Sequence, residues 1–281
     1  MKLRSKINLI LLLVPLFFLS ACANDQYSVE RQYWYLQKQA GKIFQNPQGS
    51  PPGQLNAAVN RLNKFIQKHP KSSLSTDAEF NIARLYMVKE EYNKARAQLK
   101  MIEDKYTKYP DIRAEAVFLS GNSYQMENKW DSALNQYRKI MQLYPVTRRG
   151  LDVPVYIAQY YKVKHQPEKM IVAFQEAIVF YKGLAAKYPN SPLAYVTSML
   201  AADCYGANKD WQGAINSLNT MLVDYKGKVQ LDNILMNIAA VYYRELKDKT
   251  KTKETLERLL KEYPHSKYIK AATALLKELS K

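Results

Sequence analysis

Two cysteines and three histidines are the side chains of this 281-residue sequence with the most chemistry to offer. A thiol can serve as nucleophile, metal ligand or acyl acceptor, and which of these it does depends on its surroundings. Cys22 directly follows Leu19-Ser20-Ala21 at the end of an apolar run. Cys204 lies in Ala201-Ala202-Asp203-Cys204-Tyr205, among small helix residues and far in sequence from any histidine, so it reads as a small buried hydrophobe rather than a catalytic nucleophile. His69, His165 and His265 fall one by one at helix ends or inter-helix loops, two of them beside prolines, which is not the spacing of metal ligands. There is no CxxC, HExxH, GxSxG or Walker loop, and no GxGxxG in strand context. No catalytic residue, metal or cofactor is therefore expected.

The elements around Cys22 give it a role. Lys2, Arg4 and Lys6 form a positive start, and Leu9–Leu19 is apolar apart from Pro15. Such a run is shorter than the ~20 residues needed to span a bilayer and suits the hydrophobic region of a signal peptide. Leu19-Ser20-Ala21-Cys22 resembles a lipobox, the bacterial lipoprotein signal. That resemblance implies cleavage after residue 21 and a lipid-bearing N-terminal Cys22. Ala23 rather than aspartate follows the cysteine, which under enterobacterial sorting rules favours the periplasmic face of the outer membrane. With Cys22 acylated, Cys204 has no disulfide partner.

Charge narrows the partners. The leader holds three of the 42 basic residues and none of the 25 acidic ones, so the mature chain stays strongly basic. Lysine is spread along the chain without a dense stretch, and the export signal argues against nucleic acid. A solvated basic surface facing anionic lipid or peptidoglycan fits better.

The rest of the chain repeats. A small residue is followed three positions later by tyrosine in Ala83/Tyr86, Gly121/Tyr124, Ala158/Tyr161, Ala202/Tyr205 and Ala240/Tyr243. Nine residues beyond each tyrosine come Ala95, Ala133, Met170, Ala214 and Thr252, then Leu99, Tyr137, Phe174, Leu218 and Leu256. Offsets of three, four and seven share a helix face. The small residue lets a second helix approach, and the large apolar residues fill the space between. Polar stretches such as Lys89-Glu90-Glu91, Glu127-Asn128-Lys129 and Asn208-Lys209-Asp210 suit tight turns. Tyrosine–proline junctions at Pro110, Pro145, Pro189 and Pro264 close four units. Thr76-Asp77-Ala78-Glu79 fits a capping box, and Ser191-Pro192 a cap before an initiating proline. Three extra residues before Pro110 and seven before Pro189 predict second helices longer by about one and two turns.

This pattern resembles the tetratricopeptide repeat, best over 114–147 through Val117, Gly121, Tyr124, Trp130, Ala133, Tyr137, Ile140 and Pro145. Trp130 and Trp211 share one repeat position and read as packing residues. The resemblance implies an all-α, right-handed solenoid of tandem helix-turn-helix units with a C-terminal capping helix. The expected organisation is a signal peptide at 1–21, a tether and incomplete repeat at 22–70, about five repeats over 71–264, and a cap at 265–281 beginning at Ser266. Asp25 to about Ser28 is the expected tether, and 46–53 a Pro/Gly loop.

Lipobox, long repeats and the junctions Tyr188-Pro189-Asn190-Ser191 and Tyr263-Pro264-His265-Ser266 together resemble BamD-type outer-membrane lipoproteins. These are scaffolds in the machinery that folds outer-membrane β-barrels. Tol–Pal-associated and pilus-assembly repeat proteins share parts of the pattern and stay open as alternatives; a peptidoglycan-acting enzyme or a small-ligand carrier is a weaker reading. The resemblance implies protein partners, either envelope assembly components or unfolded peptide segments, and membrane contact through the lipid, with peptidoglycan as a further surface. In this repeat class the first helices line a groove, which points to Phe80, Arg84, Met87, Phe118, Asn122, Gln125, Gln159 and Lys162 as peptide-binding candidates. The clamp by which some relatives hold a C-terminal carboxylate is incomplete here: Asn122 matches it, but Arg84, Gln159 and Asp203 stand at the equivalent places. The alternative is a merely solvated inner surface, with binding on another face.

Overall fold

The structure, a computed structural model, describes the backbone of residues 14–51 and 53–280 and side chains from Gln26 onwards. Among the described residues there are thirteen helices and no strand. They run α1 (Val14–Gln45), α2 (Gln54–Lys68), α3 (Ser73–Val88), α4 (Tyr92–Lys105), α5 (Pro110–Met126), α6 (Trp130–Leu143), α7 (Arg148–Val163), α8 (Pro167–Lys187), α9 (Pro192–Ala207), α10 (Trp211–Asp224), α11 (Asp232–Arg244), α12 (Lys249–Glu262) and α13 (Ile269–Leu279). The five hairpins α3/α4, α5/α6, α7/α8, α9/α10 and α11/α12 are the five repeats read from the sequence. The chain divides into two compact units, Met1–Lys139 and Ile140–Lys281.

One device closes the first four hairpins. The residue four beyond the landmark tyrosine takes a left-handed conformation: Glu90 (φ 62°), Asn128 (59°), His165 (53°) and Lys209 (61°). The following N–H returns to the tyrosine carbonyl, as Glu91 to Tyr86 (2.8 Å), Lys129 to Tyr124 (2.9 Å), Gln166 to Tyr161 (2.9 Å) and Asp210 to Tyr205 (2.9 Å). The left-handed residue itself donates three residues back, for example Lys209 to Gly206 (2.9 Å). Together these bonds satisfy carbonyls that a helix end leaves open, the Schellman arrangement. Lys247 (φ 54°) repeats the left-handed step in the fifth hairpin, where Asp248 N–H returns to Tyr242 instead.

The landmark residues form the interior. In the first unit Ala83, Ala95, Ala133 and Tyr137 are fully buried, and Tyr137 packs over Gly121 so closely that a Cβ there would come within 2.4 Å of its ring. In the second unit Ala158, Thr252 and Leu256 are fully buried. Thr252 replaces the usual alanine without leaving a polar group unpaired, because its hydroxyl donates to the Asp248 carbonyl at 2.7 Å. Gly150 lets α7 approach the preceding turn, since a Cβ would meet the Tyr144 carbonyl at 2.2 Å. Pro154 lies inside α7, a position the sequence reading did not single out.

Several expectations are corrected. α3 begins three residues before the supposed capping box, with Ser72 as cap accepting from Leu74 N–H. Thr76 instead donates to the Tyr106 hydroxyl at 2.9 Å, and Glu79 accepts from Lys105 at 2.6 Å. The seven extra residues of the third unit do extend α8 to 21 residues. Those of the first unit do not extend α4, which has 14 residues like α6; they form the turn to Tyr109, and Pro110 opens α5. Residues 25–28 continue α1 as helix rather than tether. The Ser191 cap is as expected, accepting from Ala194 N–H at 3.1 Å. The terminal helix starts at Ile269, after Ser266 has accepted from Tyr268 N–H, and buries Ala272 against the end of the second unit's core.

Candidate peptide-binding faces

In the first unit the first helices of the repeats, α3 and α5, carry six of the eight groove candidates. Their side chains part company. Phe80, Met87 and Phe118 are only 6 %, 6 % and 7 % exposed. Phe80 joins a cluster with Leu99, Ile102, Ala116 and Leu119, and the Phe118 ring lies 5.7 Å from that of Tyr137. These positions face packed helices, so the aromatic anchors imagined for a ligand are structural.

The polar candidates remain at the surface. Arg84 lies over the Phe80 ring at 5.7 Å, donates to Asn81 at 3.3 Å and approaches Glu115 at 3.7 Å. Asn122 and Gln125 are half-buried and held by one group: the Tyr137 hydroxyl donates to Asn122 Oδ1 at 2.8 Å, with Gln125 Oε1 at 3.1 Å. On α1, Tyr33 is nearly sealed; its hydroxyl accepts from Asn81 of α3 at 2.9 Å, and burial, followed by the charge of Asp77, pushes its pKa up to about 12. In the second unit Gln159 and Lys162 are both exposed on α7.

The second unit also holds a groove that the sequence reading missed. Lys182, Ser198, Tyr205, Asp210, Asn216 and Asp224 line about 550 Å³ between α8, α9 and α10. Lys182 donates to the Tyr205 hydroxyl at 2.9 Å and lies over its ring. The available signal was spacing: Ser198 and Tyr205 are seven apart, and Asn216 and Asp224 eight apart, each pair on one helix face. Cys204 is 1 % exposed, and burial pushes its thiol up to about 12. Among the described residues no three His, Cys, Asp or Glu side chains gather as metal ligands. No helix among them is long and apolar enough to cross a membrane. The side chain of Cys22 lies outside the described residues.

Residues 115–145 and 234–266 match the family model of the tetratricopeptide repeat. The chain carries tetratricopeptide repeats. The first match coincides with the unit read at 114–147, and the second includes Thr252 in its alanine place. No curated protein sequence matches significantly. Similar solved structures include BtubC (BKLC) from P. vanneervenii, at 15 % identity over 83 % of this chain and 90 % of that one, TM-score 0.38. The TPR2AB-domain:pHSP90 complex of yeast Sti1 is similar at 13 % identity over 90 % and 100 %, TM-score 0.33. Pseudomonas aeruginosa pilF follows at 14 % over 88 % and 99 %, TM-score 0.34. The repeats make the chain a helical scaffold suited to protein–protein contacts.

Proposed function

We propose that this chain is a non-catalytic lipoprotein scaffold on the periplasmic face of the outer membrane, binding protein partners during the assembly of outer-membrane β-barrels. The observation that carries the reading is Leu19-Ser20-Ala21-Cys22, at the end of an apolar run and directly before a chain made of helical repeats. Several acyl chains on Cys22 make a stable anchor where one would bind only marginally. Arg84 with the Asn122–Gln125 pair in the first unit, and Gln159 with Lys162 in the second, offer groups that bond an extended backbone or acidic side chains.

Two measurements test it. Radiolabelled palmitate should enter the wild type and not Cys22→Ser; equal labelling of both sinks the anchor. Photo-crosslinking in the intact envelope from positions 84 and 162 should recover β-barrel precursors or their assembly components. Recovery of Tol–Pal or pilus components alone would transfer the chain to one of those machines.

A further inference from the structure

Helix α1 has two faces. Val29, Tyr33, Leu36, Ala40, Ile43 and Phe44 turn inward and pack on α2 and α3. The other side, Tyr27, Arg31, Trp34, Tyr35, Lys38 and Lys42, is exposed. At 100° per residue those six positions fall within an arc of about 100°, one stripe along the helix. Three large aromatics in it are unusually open: Tyr27 is 65 % exposed, Trp34 53 % and Tyr35 48 %. The rings are organised, with Trp34 edge-on to Tyr35 at 5.0 Å, Lys38 over Trp34 at 5.2 Å and Arg31 over Tyr35 at 6.0 Å. The stripe borders a hollow of about 590 Å³, reached also by Glu30, Leu74 and Asp77.

We infer that this stripe is a membrane-interface contact: its aromatic rings enter the headgroup layer of a bilayer while Arg31, Lys38 and Lys42 meet anionic lipid. The inference rests on the lipid-anchor reading of Cys22 and adds a second, non-covalent attachment to it. Three arguments favour a bilayer over a protein occupant. Tyrosine and tryptophan, apolar in body and polar at one end, are the residues that collect at membrane–water boundaries. Three cations against the flanking carboxylates Glu30 and Asp77 leave the stripe positive, complementary to an anionic leaflet. Position is the third: Cys22 lies on the same continuous helix, and at 1.5 Å per residue Tyr27 is about 8 Å and Trp34 about 18 Å along it. A lipid on residue 22 therefore holds this stripe close to the bilayer, and an interfacial helix requires no segment long enough to span it.

The test uses the full-length protein, extracted from membranes in detergent and reconstituted into phosphatidylethanolamine/phosphatidylglycerol vesicles with or without brominated acyl chains. Subtracting the emission of Trp34→Phe isolates Trp34 from Trp130 and Trp211 and removes only an exposed ring. The expected result is a blue-shifted Trp34 signal quenched by brominated lipid, with less quenching in Arg31→Gln/Lys38→Gln/Lys42→Gln and in phosphatidylcholine vesicles. Equal Trp34 emission in brominated and ordinary vesicles overturns the inference. So does a Trp34 signal that becomes protected only when a crosslinked protein partner is retained, which would give the stripe to that protein. Palmitate labelling of the same preparation reports the anchor separately. Labelled protein with unquenched Trp34 fails this inference alone, and quenched Trp34 in unlabelled protein fails the anchor alone.

Discussion

The two units build the same hairpins around polar contacts that are placed differently. In the first, ion pairs run from one helix to another: Lys105 to the nearly buried Glu79 at 2.6 Å, Lys139 to Glu103 at 2.7 Å, and Arg96 to Glu127 with a second bond to the Ser123 hydroxyl at 3.1 Å. In the second, Arg148–Asp152, Lys251–Asp248 and Arg258–Glu262 each join neighbouring turns of a single helix or its cap. Its helix-to-helix polar links include hydroxyls: Tyr181 donates to the Leu151 carbonyl at 2.6 Å and Ser266 to Asp232 at 2.6 Å. The apolar landmarks and small residues set the repeat, and the polar connections are free to differ around them. Pairs within one exposed helix contribute little and are screened by salt, so the two units should answer differently to packing, pH and turn changes.

The largest difference should come from glycine. Gly121 is mid-helix in α5 with the Tyr137 ring pressed against it, and Tyr137 is itself fully buried and bonded to Asn122. The ring cannot swing away without losing that bond, so Gly121→Ala should destabilise by about 1–3 kcal/mol. Gly183, mid-helix in α8, has nothing within 4 Å of a built Cβ. Gly183→Ala should stabilise by about 0.5–1 kcal/mol, because alanine loses less backbone freedom on folding. Urea melts of both variants check the pair, and shifts of the same sign would show that the assigned interior of the first unit is wrong.

The second difference is pH. Lys129 first, and then Arg96, hold the Glu127 carboxyl below its ordinary value of 4.5. A carboxyl depressed in the folded state stabilises fully above its unfolded pKa, and the contribution is lost as pH falls through the folded value. The urea midpoint should therefore fall as pH drops below about 4.5, and Glu127→Gln should flatten that fall. Partly exposed pairs of this kind contribute about 1 kcal/mol or less. Tyr181→Phe in the second unit should cost about 1 kcal/mol, equally at mildly acidic and neutral pH, since burial raises the phenol's pKa well above its ordinary 10.0. A pH-dependent loss in Tyr181→Phe would erase the contrast.

The repeats were legible in the sequence because Ala83/Tyr86 and its four echoes keep helical spacing, and buried faces must repeat when hairpins stack. α1 was not legible as a long two-faced helix: it carries none of those landmarks, and its inward residues make sense only once α2 and α3 lie against them. The site was half legible. Arg84, Asn122 and Gln125 stand at the surface, whereas Phe80, Met87 and Phe118 were assigned outward although they face packed helices. Residue type marks a position as important without saying which neighbour it meets. The left-handed turn residues were hidden for another reason: Glu90, Lys209 and Lys247 are not residues that advertise positive φ, and only Asn128 and His165 among the five carry that signal.

That contrast supplies the smallest prediction. The turn after α5 and the turn after α9 are the same motif, closed by the same return of an N–H to a tyrosine carbonyl at 2.9 Å. The first unit places Asn128 at the left-handed position and the second places Lys209, at φ 59° and 61°. A lysine there crowds its Cβ against the following carbonyl oxygen, a cost of roughly 1–2 kcal/mol, while asparagine visits the region routinely. Glycine removes the crowding but gains freedom in the unfolded chain, which offsets part of the benefit. Lys209→Gly should therefore stabilise by about 0.5 kcal/mol and Asn128→Gly by less or not at all. Lys209 is exposed, so the change removes no packing. Urea midpoints of the two variants, compared at unchanged slope, decide the matter. A larger gain for Asn128→Gly than for Lys209→Gly would mean that the turns differ in something other than the strain of their left-handed residue.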